Sequence, residues 1–470
     1  MTRAVPRHLA VALLLWCVAP RTGEAQTVVG QRDPSGVGTA MSGGAPGRLT
    51  SVLTIGVDGA VDDNNLPIVT NAFDPTNPDN ILLGDPSLIT DPQFRGVQVY
   101  SSARAQLSLA KRSDHIGWQV AGGTSLRFYP GQQEVVRARE NLSASIGVPV
   151  GGRLRFFGSG LLAYSPYYSL VSALSPAGGA DPGVFDGSAA QAPPTAIDPA
   201  TTALDTSLVR RSVYTSATTG GFTYRLGQYS TLIVSGGTQR TDFLDTTVPS
   251  LQGWDARFRY SQLISQHTSV HVGYGRRVAR FASSSLNAPV QLEDLDIGID
   301  HSRTWSLTRN TTLSITPGVA VTKDGGSRRY GVTAAAALEH LIRRTGSAGF
   351  RYDRQVGLIG GFVHPVLTDT FSAHYTENLS RRLALDTGVE YRLGQVGVVS
   401  TSANGYRSSS AQARLSLALT TQAFVHADYL LYRDDFGSDV QLLGSIGSVH
   451  RRQSIRLGLT LRLPLLNGRP

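Results

Sequence analysis

Apolar and polar residues alternate with a period of two along most of the chain after residue 48. The clearest case is the segment 411–419, in which every odd-numbered residue is Ala or Leu. Three of the four residues between them, Gln412, Arg414 and Ser416, are polar. A period of two places successive side chains on opposite faces of a β-sheet. The segment therefore predicts a strand with one apolar face and one mostly polar face.

The alternation continues after a three-residue gap at 420–422, which predicts a β-hairpin. A loop of this length places Leu417 opposite Val425, so that apolar side chains meet across the two strands. A two-residue loop would instead place Leu419 opposite Gln422 and mix the two faces along both strands.

Two more hairpins follow the same rule, with loops at 380–382 and 227–229. The three hairpins predict these opposed pairs: Phe371–Tyr391, Ala373–Val389, Tyr375–Thr387, Phe222–Val234, Tyr224–Leu232, Leu419–Ala423 and Ala413–Tyr429. Three-residue hairpin loops usually need a left-handed residue near their end, and none of these loops has Gly there. The sequence predicts the loop length and leaves the turn type open.

The same alternation predicts about 18 strands of roughly 10 to 14 residues each. They lie near residues 49–61, 97–109, 116–128, 136–148, 154–164, 211–226, 230–243, 254–263, 268–280, 291–302, 311–323, 328–339, 347–357, 368–379, 383–392, 406–419, 423–433 and 452–463. The strand near 154–164 follows the rule less cleanly, because Phe157 and Leu161 fall on its polar face.

The connections between the predicted strands alternate in length. Short ones lie near 111–115, 149–153, 227–229, 264–267, 380–382 and 420–422, and long ones at 62–96, 165–210, 244–253, 281–290, 393–405 and 434–451. Two connections in the second series, near 130–134 and 324–327, are short and depart from the pattern. In an antiparallel sheet this alternation places short turns at one end and long loops at the other.

Residues 1–25 predict a secretory signal peptide. Arg3 and Arg7 form its positive start, residues 9–18 form a short apolar core, and small residues follow at a cleavage site. The apolar core has about ten residues, which is too few for a spanning helix, and a buried N-terminal helix is the alternative. Residues 26–48 are polar and Gly-rich, and they predict a flexible periplasmic tail.

Cysteine usage and hydropathy bound the fold class. Cys17 is the only cysteine, and we expect it to be removed with the signal peptide, so no disulfide stabilises the exported chain. No later segment contains about 18 uninterrupted apolar residues, the length of a membrane helix. The composition of the 470-residue chain does not shift after residue 49, which favours one large closed sheet over about three soluble domains.

A signal peptide, a cysteine-free body, amphipathic strands and alternating short and long connections together resemble the bacterial outer-membrane β-barrels with porin-like architecture. The resemblance is architectural and rests on no family motif. It implies an all-β fold, with 49–470 forming a single closed antiparallel transmembrane β-barrel of about 16–18 strands with long extracellular loops and short periplasmic turns. It implies an outer-membrane location, with outer-membrane lipid, lipopolysaccharide and the barrel-assembly machinery as partners. One departure is the last predicted strand, which lacks a terminal aromatic residue and is followed by 464–470.

A soluble β-sandwich would show the same alternation, because each of its sheets also buries one face. Three observations favour the barrel: backbone groups in lipid require a closed sheet, no disulfide is available, and aromatic residues lie near the predicted strand ends, as in an interfacial girdle. These aromatic residues are Tyr100, Phe128, Tyr129, Tyr164, Phe243, Tyr330, Tyr391 and Tyr432.

The polar face of the predicted barrel is rich in arginine, and the chain is basic, with a formal net charge of +9. The candidates to line the lumen are Arg104, Arg127, Arg137, Arg139, Arg155, Arg257, Arg259, Arg414, Arg456 and Arg462. Guanidinium groups favour anions and bind carboxylates or phosphates through two hydrogen bonds. The alternative is that Asp296, Asp300, Asp386 and Glu390 neutralise them and rigidify the wall.

We predict no catalytic, cofactor or metal site. The chain has no G-x-S-x-G and no H-E-x-x-H motif, and the segment 62–95 lacks the residue order of a calcium loop. A barrel hydrolase would need a strand histidine beside a serine; the residues in question are His271, His301, His374, His426, Ser269 and Ser302. Nucleic-acid binding is not expected, because the positive charge is spread along alternating strand positions of an exported chain.

The function that fits this pattern is a porin-like channel for small or anionic solutes. The long connections 62–95 and 165–210 are long enough to fold into its lumen. The main alternative is a non-conducting structural or accessory barrel that works with an exported polysaccharide or a surface partner. An outer-membrane barrel hydrolase is a further, weaker alternative.

Overall fold

The computed structural model describes residues 49–65, 96–113, 115–130, 136–166, 168–169, 207–209, 212–244, 250–282, 289–306, 309–324, 327–342, 345–357, 365–396, 405–437 and 449–467. The signal peptide and the tail predicted at 1–25 and 26–48 lie outside these residues and stay predictions, as does the inward folding of the two longest connections. Within the described residues, no helix is long and apolar enough to cross a membrane.

The described residues form twenty β-strands. In chain order they are β1 (Leu49–Asn65), β2 (Gly96–Arg112), β3 (Gly117–Phe128), β4 (Val136–Val150), β5 (Leu154–Ser165), β6 (Tyr168–Ser169), β7 (Ser207–Val209), β8 (Val213–Arg225), β9 (Ser230–Phe243), β10 (Ser250–Ser265), β11 (Thr268–Ala282), β12 (Val290–Ser306), β13 (Arg309–Asp324), β14 (Ser327–Ile342), β15 (Gly346–Gly357), β16 (Val366–Asn378), β17 (Leu383–Val396), β18 (Gly405–Ala418), β19 (Ala423–Phe436) and β20 (Val449–Asn467).

Eighteen of these strands form one antiparallel sheet in which each strand pairs with its neighbours along the chain. The short strands β6 and β7 pair only with each other, and β5 pairs directly with β8. The last strand, β20, pairs with β1 along almost the whole of β1 and closes the sheet. The prediction of a single closed antiparallel barrel of about 16–18 strands is confirmed.

The two ends of the barrel differ in the length of their connections. At the end where β1 begins and β20 ends, which we call the turn end, each connection has two to four residues. At the opposite end, the loop end, all connections have six residues or more except 325–326. The alternation of short and long connections predicted from the sequence is confirmed.

The three predicted hairpins have the predicted registers. The observed Cα partners are Phe371–Tyr391, Ala373–Val389, Tyr375–Thr387, Phe222–Val234, Tyr224–Leu232, Leu417–Val425 and Ala413–Tyr429. The Leu419 N–H donates to the carbonyl of Ala423 at 2.9 Å, so 420–422 is a three-residue loop.

The loops 420–422 and 380–382 contain no glycine, and each is held by the hydroxyl group of its first residue. The Oγ1 atom of Thr420 accepts hydrogen bonds from the N–H groups of Gln422 at 3.1 Å and Ala423 at 3.0 Å. The Oγ atom of Ser380 accepts the equivalent two bonds in the loop 380–382. Bonds from backbone donors to a Ser or Thr side chain hold a turn locally. The turn geometry that the sequence left open is therefore set by the first residue of each loop.

The alternation in the sequence becomes two faces of the barrel wall. Along β19, the even-numbered residues are buried and the odd-numbered ones are half-buried or exposed. Val57 and Leu457 are 55% and 62% exposed, whereas Asp58 and Arg452, at alternate positions, are 1% and 0% exposed. A single-layer barrel can bury side chains only on its inside. The exposed apolar face is therefore outward, and the buried polar face is inward.

The last strand is longer than predicted. β20 continues to Asn467 through residues that the sequence placed beyond the strand. Pro464 pairs with Val52 and Leu466 with Ser51, and the register shifts at this point in a β-bulge. Proline lacks an N–H group and is found at bulges and sheet margins, where the ladder does not need that donor.

The predicted aromatic girdle is wrong for half of its residues. Phe128, Tyr330 and Tyr391 are exposed on the outward face, and Tyr164 packs against the exposed Tyr214. The others, Tyr100, Tyr129, Phe243 and Tyr432, are buried at inward positions. Proximity to a strand end does not decide which face a residue occupies; its odd or even position does.

The closure of the barrel can be tested with a disulfide between its first and last strands. Val57 and Leu459 are Cα partners on the outward face, so V57C/L459C should form a disulfide in the folded chain produced without residues 1–25. The cross-linked chain should migrate faster on a non-reducing denaturing gel, because its ends are joined. The control V57C/I455C places the second thiol about 13 Å further along β20 and should not cross-link. Equal cross-linking in both variants would contradict the register.

Candidate functional site: the inward face of the barrel

All ten arginines proposed from the sequence occupy inward positions, and they divide between two sectors of the wall. Arg104, Arg127, Arg137, Arg139 and Arg155 lie on β2–β5, while Arg257, Arg259, Arg414, Arg456 and Arg462 lie on β10, β18 and β20. The first sector consists of β2–β5, β8 and β9, and the second of β10–β20 and β1. The two sectors differ in the residues that accompany the arginines.

The first sector has no carboxylate at the inward positions of its described strands. Its inward residues besides arginine are mainly Ser, Thr, Gly, Asn and Gln, including Ser143, Ser159 and Thr219. Register adds one arginine to this face that was not among the candidates, Arg225 at the turn end. Parity within the strand predicted at 211–226 could have found it, because Phe222 and Tyr224 lie on the opposite face. We call this the acid-free sector.

The arginines of the acid-free sector are distributed from one end of the barrel to the other. Arg127 and Arg137 are Cα partners near the loop end, and Arg139 follows on the same face. Arg104 lies midway along β2, and Arg155 lies at the turn end and is exposed. A solute that moved along this sector would pass successive positive charges.

Near the loop end, an arginine is held between aromatic rings. The guanidinium carbon of Arg127 lies 4.1 Å from the ring centre of Tyr100, and its Nη1 lies 3.5 Å from the Tyr129 hydroxyl. Arg456 donates to the hydroxyl of the same Tyr100 at 3.3 Å. Cation–π contacts of this kind orient a buried guanidinium without neutralising its charge. The tyrosines predicted for an external girdle thus position arginines inside.

In the second sector, arginines form ion pairs with carboxylates. Arg257 Nη2 lies 2.6 Å from Asp296 Oδ2, and Arg259 Nη2 lies 3.4 Å from Asp300 Oδ2. Arg392, which was not among the candidates, contacts Glu390. In this sector the structure shows the arrangement that the sequence analysis gave as the alternative, in which carboxylates neutralise the arginines.

The ion pair of Arg414 has two hydrogen bonds and is nearly dry. Its Nε and Nη2 atoms donate to the two carboxylate oxygens of Asp428 at 2.6 and 2.7 Å, and both side chains are 9% exposed. Asp386, the neutraliser proposed from the sequence, is a Cα partner of Arg414 on the other side. A second buried pair, Arg452 with Asp62, joins β20 to β1 and was not predicted.

Several inward side chains reach across a whole strand, and a glycine lies beneath each crossing. The Nε2 atom of His426 on β19 lies 2.8 Å from Oδ1 of Asp58 on β1, within hydrogen-bond distance, over Gly458 of the intervening β20. Arg104 reaches Thr460 at 3.0 Å over Gly56 in the same way. The same arrangement is found in Tyr406–Thr368 over Gly394, His374–Glu339 over Gly349, His271–Thr316 over Gly298 and Arg257–Asp296 over Gly273. None of these crossings was predicted from the sequence.

The strand histidines are part of this polar network. The Nδ1 atom of His271 lies 3.0 Å from Asp300 Oδ2 and 2.8 Å from Arg259 Nη2, and its Nε2 lies 3.3 Å from Thr316 Oγ1. Its ring is fully buried. Both ring nitrogens therefore have structural partners. Among the described residues, no three His, Cys, Asp or Glu side chains are placed to hold a metal ion.

The outward face decides the environment of the barrel. Large apolar side chains are exposed around the described wall, among them Ile55, Val61, Phe258, Ile297, Val389 and Leu457. Exposure of so large a continuous apolar surface to water is unfavourable. In the hydrocarbon of a membrane such a surface is needed, together with a sheet that has no open edge. The described strands therefore form a membrane-spanning β-barrel.

Comparison with known proteins adds distant structural similarity. No protein-family model matches the chain, and no curated protein sequence is significantly similar to it. OccK2 (OpdF) of Pseudomonas aeruginosa is 8% identical, with a TM-score of 0.45 over 89% of this chain and 98% of that one. A BenF-like porin from Pseudomonas fluorescens Pf-5 is 11% identical, with a TM-score of 0.44 over 89% and 99%. Similarity at this level of identity and TM-score does not indicate the function of this chain.

The crossing over Gly458 should be sensitive to a single methyl group. A Cβ atom at this position would overlap the carboxylate of Asp58 and the ring of His426. We expect G458A to destabilise the barrel by about 1–3 kcal/mol, measured by urea unfolding in micelles with tryptophan fluorescence. G59A is the matched control, because a Cβ there meets nothing within 4 Å. Equal stability of the two variants would show that the crossing is not tight.

The ion pair of Arg414 predicts unequal effects of single and double substitutions. R414L leaves the buried carboxylate of Asp428 without its main partner and should cost about 3–5 kcal/mol of unfolding free energy. The double variant R414L/D428L removes both charges and should regain most of that loss. A double variant less stable than R414L would contradict this expectation and show that Asp428 stabilises the wall through partners other than Arg414, such as His426. The same unfolding assay measures both.

Proposed function

We propose that the barrel is a porin-like channel for small solutes, with a preference for anions. The observation that carries this proposal is the acid-free sector, where arginines lie along the inward face from the loop end to the turn end with no inward carboxylate on the described strands. A wall of this composition has a positive potential along its length. Anions are attracted to it, and cations are repelled.

The size of the barrel supports passage. Closed barrels of 16–18 strands are wide enough to leave an aqueous lumen between their walls. In the acid-free sector the inward side chains at the turn-end half, such as Ser143, Ser145 and Arg155, are exposed. This sector is therefore the side of the lumen in contact with water, and it is where we place the solute path.

The chemistry of the path favours carboxylates and phosphates. Guanidinium groups bind both through paired hydrogen bonds, while the neighbouring Ser, Thr and Asn side chains offer weaker, exchangeable bonds. A solute passes through a channel only if it binds strongly enough to enter and weakly enough to leave. Exposed arginines such as Arg155 and Arg225 meet both needs better than the dry ion pairs of the second sector.

The second sector serves as a rigid frame in this proposal. Five of its arginines are engaged by carboxylates and contribute little net potential to the lumen: Arg257, Arg259, Arg392, Arg414 and Arg452. The buried group Tyr432, Asp434, His450 and Arg452 lies at the loop end of this sector. This dry region also suits the alternative function, a non-conducting accessory barrel for polysaccharide export or surface binding, in which the lumen is closed. We assign no catalytic step to the barrel, since its strand histidines serve the wall.

Planar-bilayer recording tests the proposal. The folded chain should produce conductance steps whose reversal potential in a salt gradient shows anion preference. R155S/R225S removes two exposed inward charges, and the permeability ratio of anion to cation should fall about fourfold per charge, since a unit charge about 10 Å away in water stabilises an anion and destabilises a cation by about 0.4 kcal/mol each. Single-channel conductance in the same recordings reports whether the pore itself is intact.

The matched control removes two arginines from the outward face. In R240S/R354S the loss of charge is the same, but both side chains lie outside the barrel. Its selectivity should equal that of the unmodified chain. A ratio unchanged in R155S/R225S would contradict the role of the acid-free sector. Absence of conductance, even after removal of residues 170–206 between the paired strands β6 and β7, would favour the accessory barrel.

A further inference from the structure

The outward face carries its own pattern of charge near the loop end. Several outward arginines there have carboxylate partners: Arg240 lies 2.6 Å from Asp242, Arg354 lies 3.5 Å from Asp369, and Arg276 lies 4.0 Å from Glu293. Arg407 is the Cα partner of Asp435. Opposite charges at opposed or adjacent positions are the usual way a sheet carries charge on one face.

Two pairs on the outward face of the described strands place like charges directly opposite each other. Arg433 and Arg451 are Cα partners on β19 and β20, and Lys323 and Arg328 are Cα partners on β13 and β14. All four side chains are exposed on the outward face near the loop end. Like charges directly opposite each other destabilise a sheet unless something of the opposite charge lies between them.

The surroundings of the first pair select a ligand type. The Cα partners that flank the pair, Ser409 on β18 and Asn65 on β1, are uncharged. The nearest outward carboxylates, Asp435 and Asp63, lie two residues further along β19 and β1, and Asp435 is the Cα partner of Arg407 while Asp63 accepts from Gln453. Opposed Cα atoms in an antiparallel sheet lie about 4.5–5.5 Å apart, which lets two guanidinium groups converge on one small anion. Two converging guanidinium forks fit the oxygens of a phosphate group.

The position of the pair on the barrel selects the source of the phosphate. Further from the loop end, the same outward face of β19 and β20 exposes Tyr429, Ile455 and Leu457, which are 41%, 58% and 62% exposed. The arginines thus lie where the apolar band ends. In an outer-membrane barrel the loop end faces the cell exterior, and the headgroups of the outer leaflet lie at this level.

We propose that Arg433 and Arg451 form a binding site for a phosphate group of lipopolysaccharide in the outer leaflet. The acyl chains of the same lipid lie against the apolar surface of β19 and β20. The site uses the seam next to the closing strand pair, and it is independent of any solute that passes through the lumen.

The test is lipopolysaccharide binding to the full folded barrel in neutral detergent micelles, measured by titration with fluorescently labelled lipid. R433S/R451S should bind about thirtyfold more weakly, because each arginine near an anionic surface contributes roughly a factor of five. R433K/R451K keeps the charge and should retain most of the affinity. Migration on unboiled gels verifies that each variant is folded. If the double serine variant does not fold, the single variant R433Q should show about a fivefold loss.

Three comparisons distinguish the proposal from its rivals. R240S/R354S loses two outward arginines that have carboxylate partners and should bind as the unmodified chain does. Dephosphorylated lipopolysaccharide should bind weakly to every variant, and millimolar inorganic phosphate should not displace the intact lipid. Affinity unchanged in R433S/R451S, an equal loss in R240S/R354S, or equal binding of the dephosphorylated lipid would overturn the site. Displacement by inorganic phosphate would show a site for free anions instead of lipid.

Discussion

The pairing of β20 with β1 is the constraint on which the rest of the barrel depends. An unpaired backbone N–H or carbonyl group in hydrocarbon costs several kcal/mol, so a sheet with two open edges has no stable place in a membrane. Closure also determines which side chains point inward. Gly56 on β1 is the Cα partner of both Arg104 on β2 and Thr460 on β20, so all three lie on the same face. Once the ring is closed, the period of two in the sequence sends every second side chain into the lumen and the others into lipid.

The inward face then has to satisfy a large number of polar groups in a confined space. Adjacent strands are about 4.8 Å apart, so a side chain that contacts the next strand but one spans about 10 Å. Arginine and histidine, with partners leaning toward them, achieve this only where the strand between them has no side chain. Glycine at positions such as Gly458 and Gly298 clears that path. The crossings link three strands at a time, which ties the wall together beyond its backbone ladder.

Most of the fold could be predicted from the sequence, because alternation, loop length and parity act locally. The register of the hairpin at 420–422 even places Arg414 opposite Asp428, although the sequence analysis assigned Arg414 a role in the lumen and not this partner. Contacts between strands far apart in the chain could not be predicted. The pairs Arg452–Asp62 and His426–Asp58 join residues 390 and 368 positions apart, and they exist only because the first and last strands meet. The aromatic residues were placed wrongly where nearness to a strand end was used in place of parity.

The division of the wall into two sectors follows from the same topology. Each strand of this barrel pairs with its neighbours in the chain, so a difference in composition along the sequence becomes a difference around the circumference. Inward carboxylates appear from Asp255 on β10 onward and again on β1, but not on the described strands from β2 to β9. Arginine is found on both sides of this boundary. The role of an arginine depends on its neighbours. Beside carboxylates it is part of the rigid frame, and among Ser, Thr and Gly it remains a positive group facing the lumen.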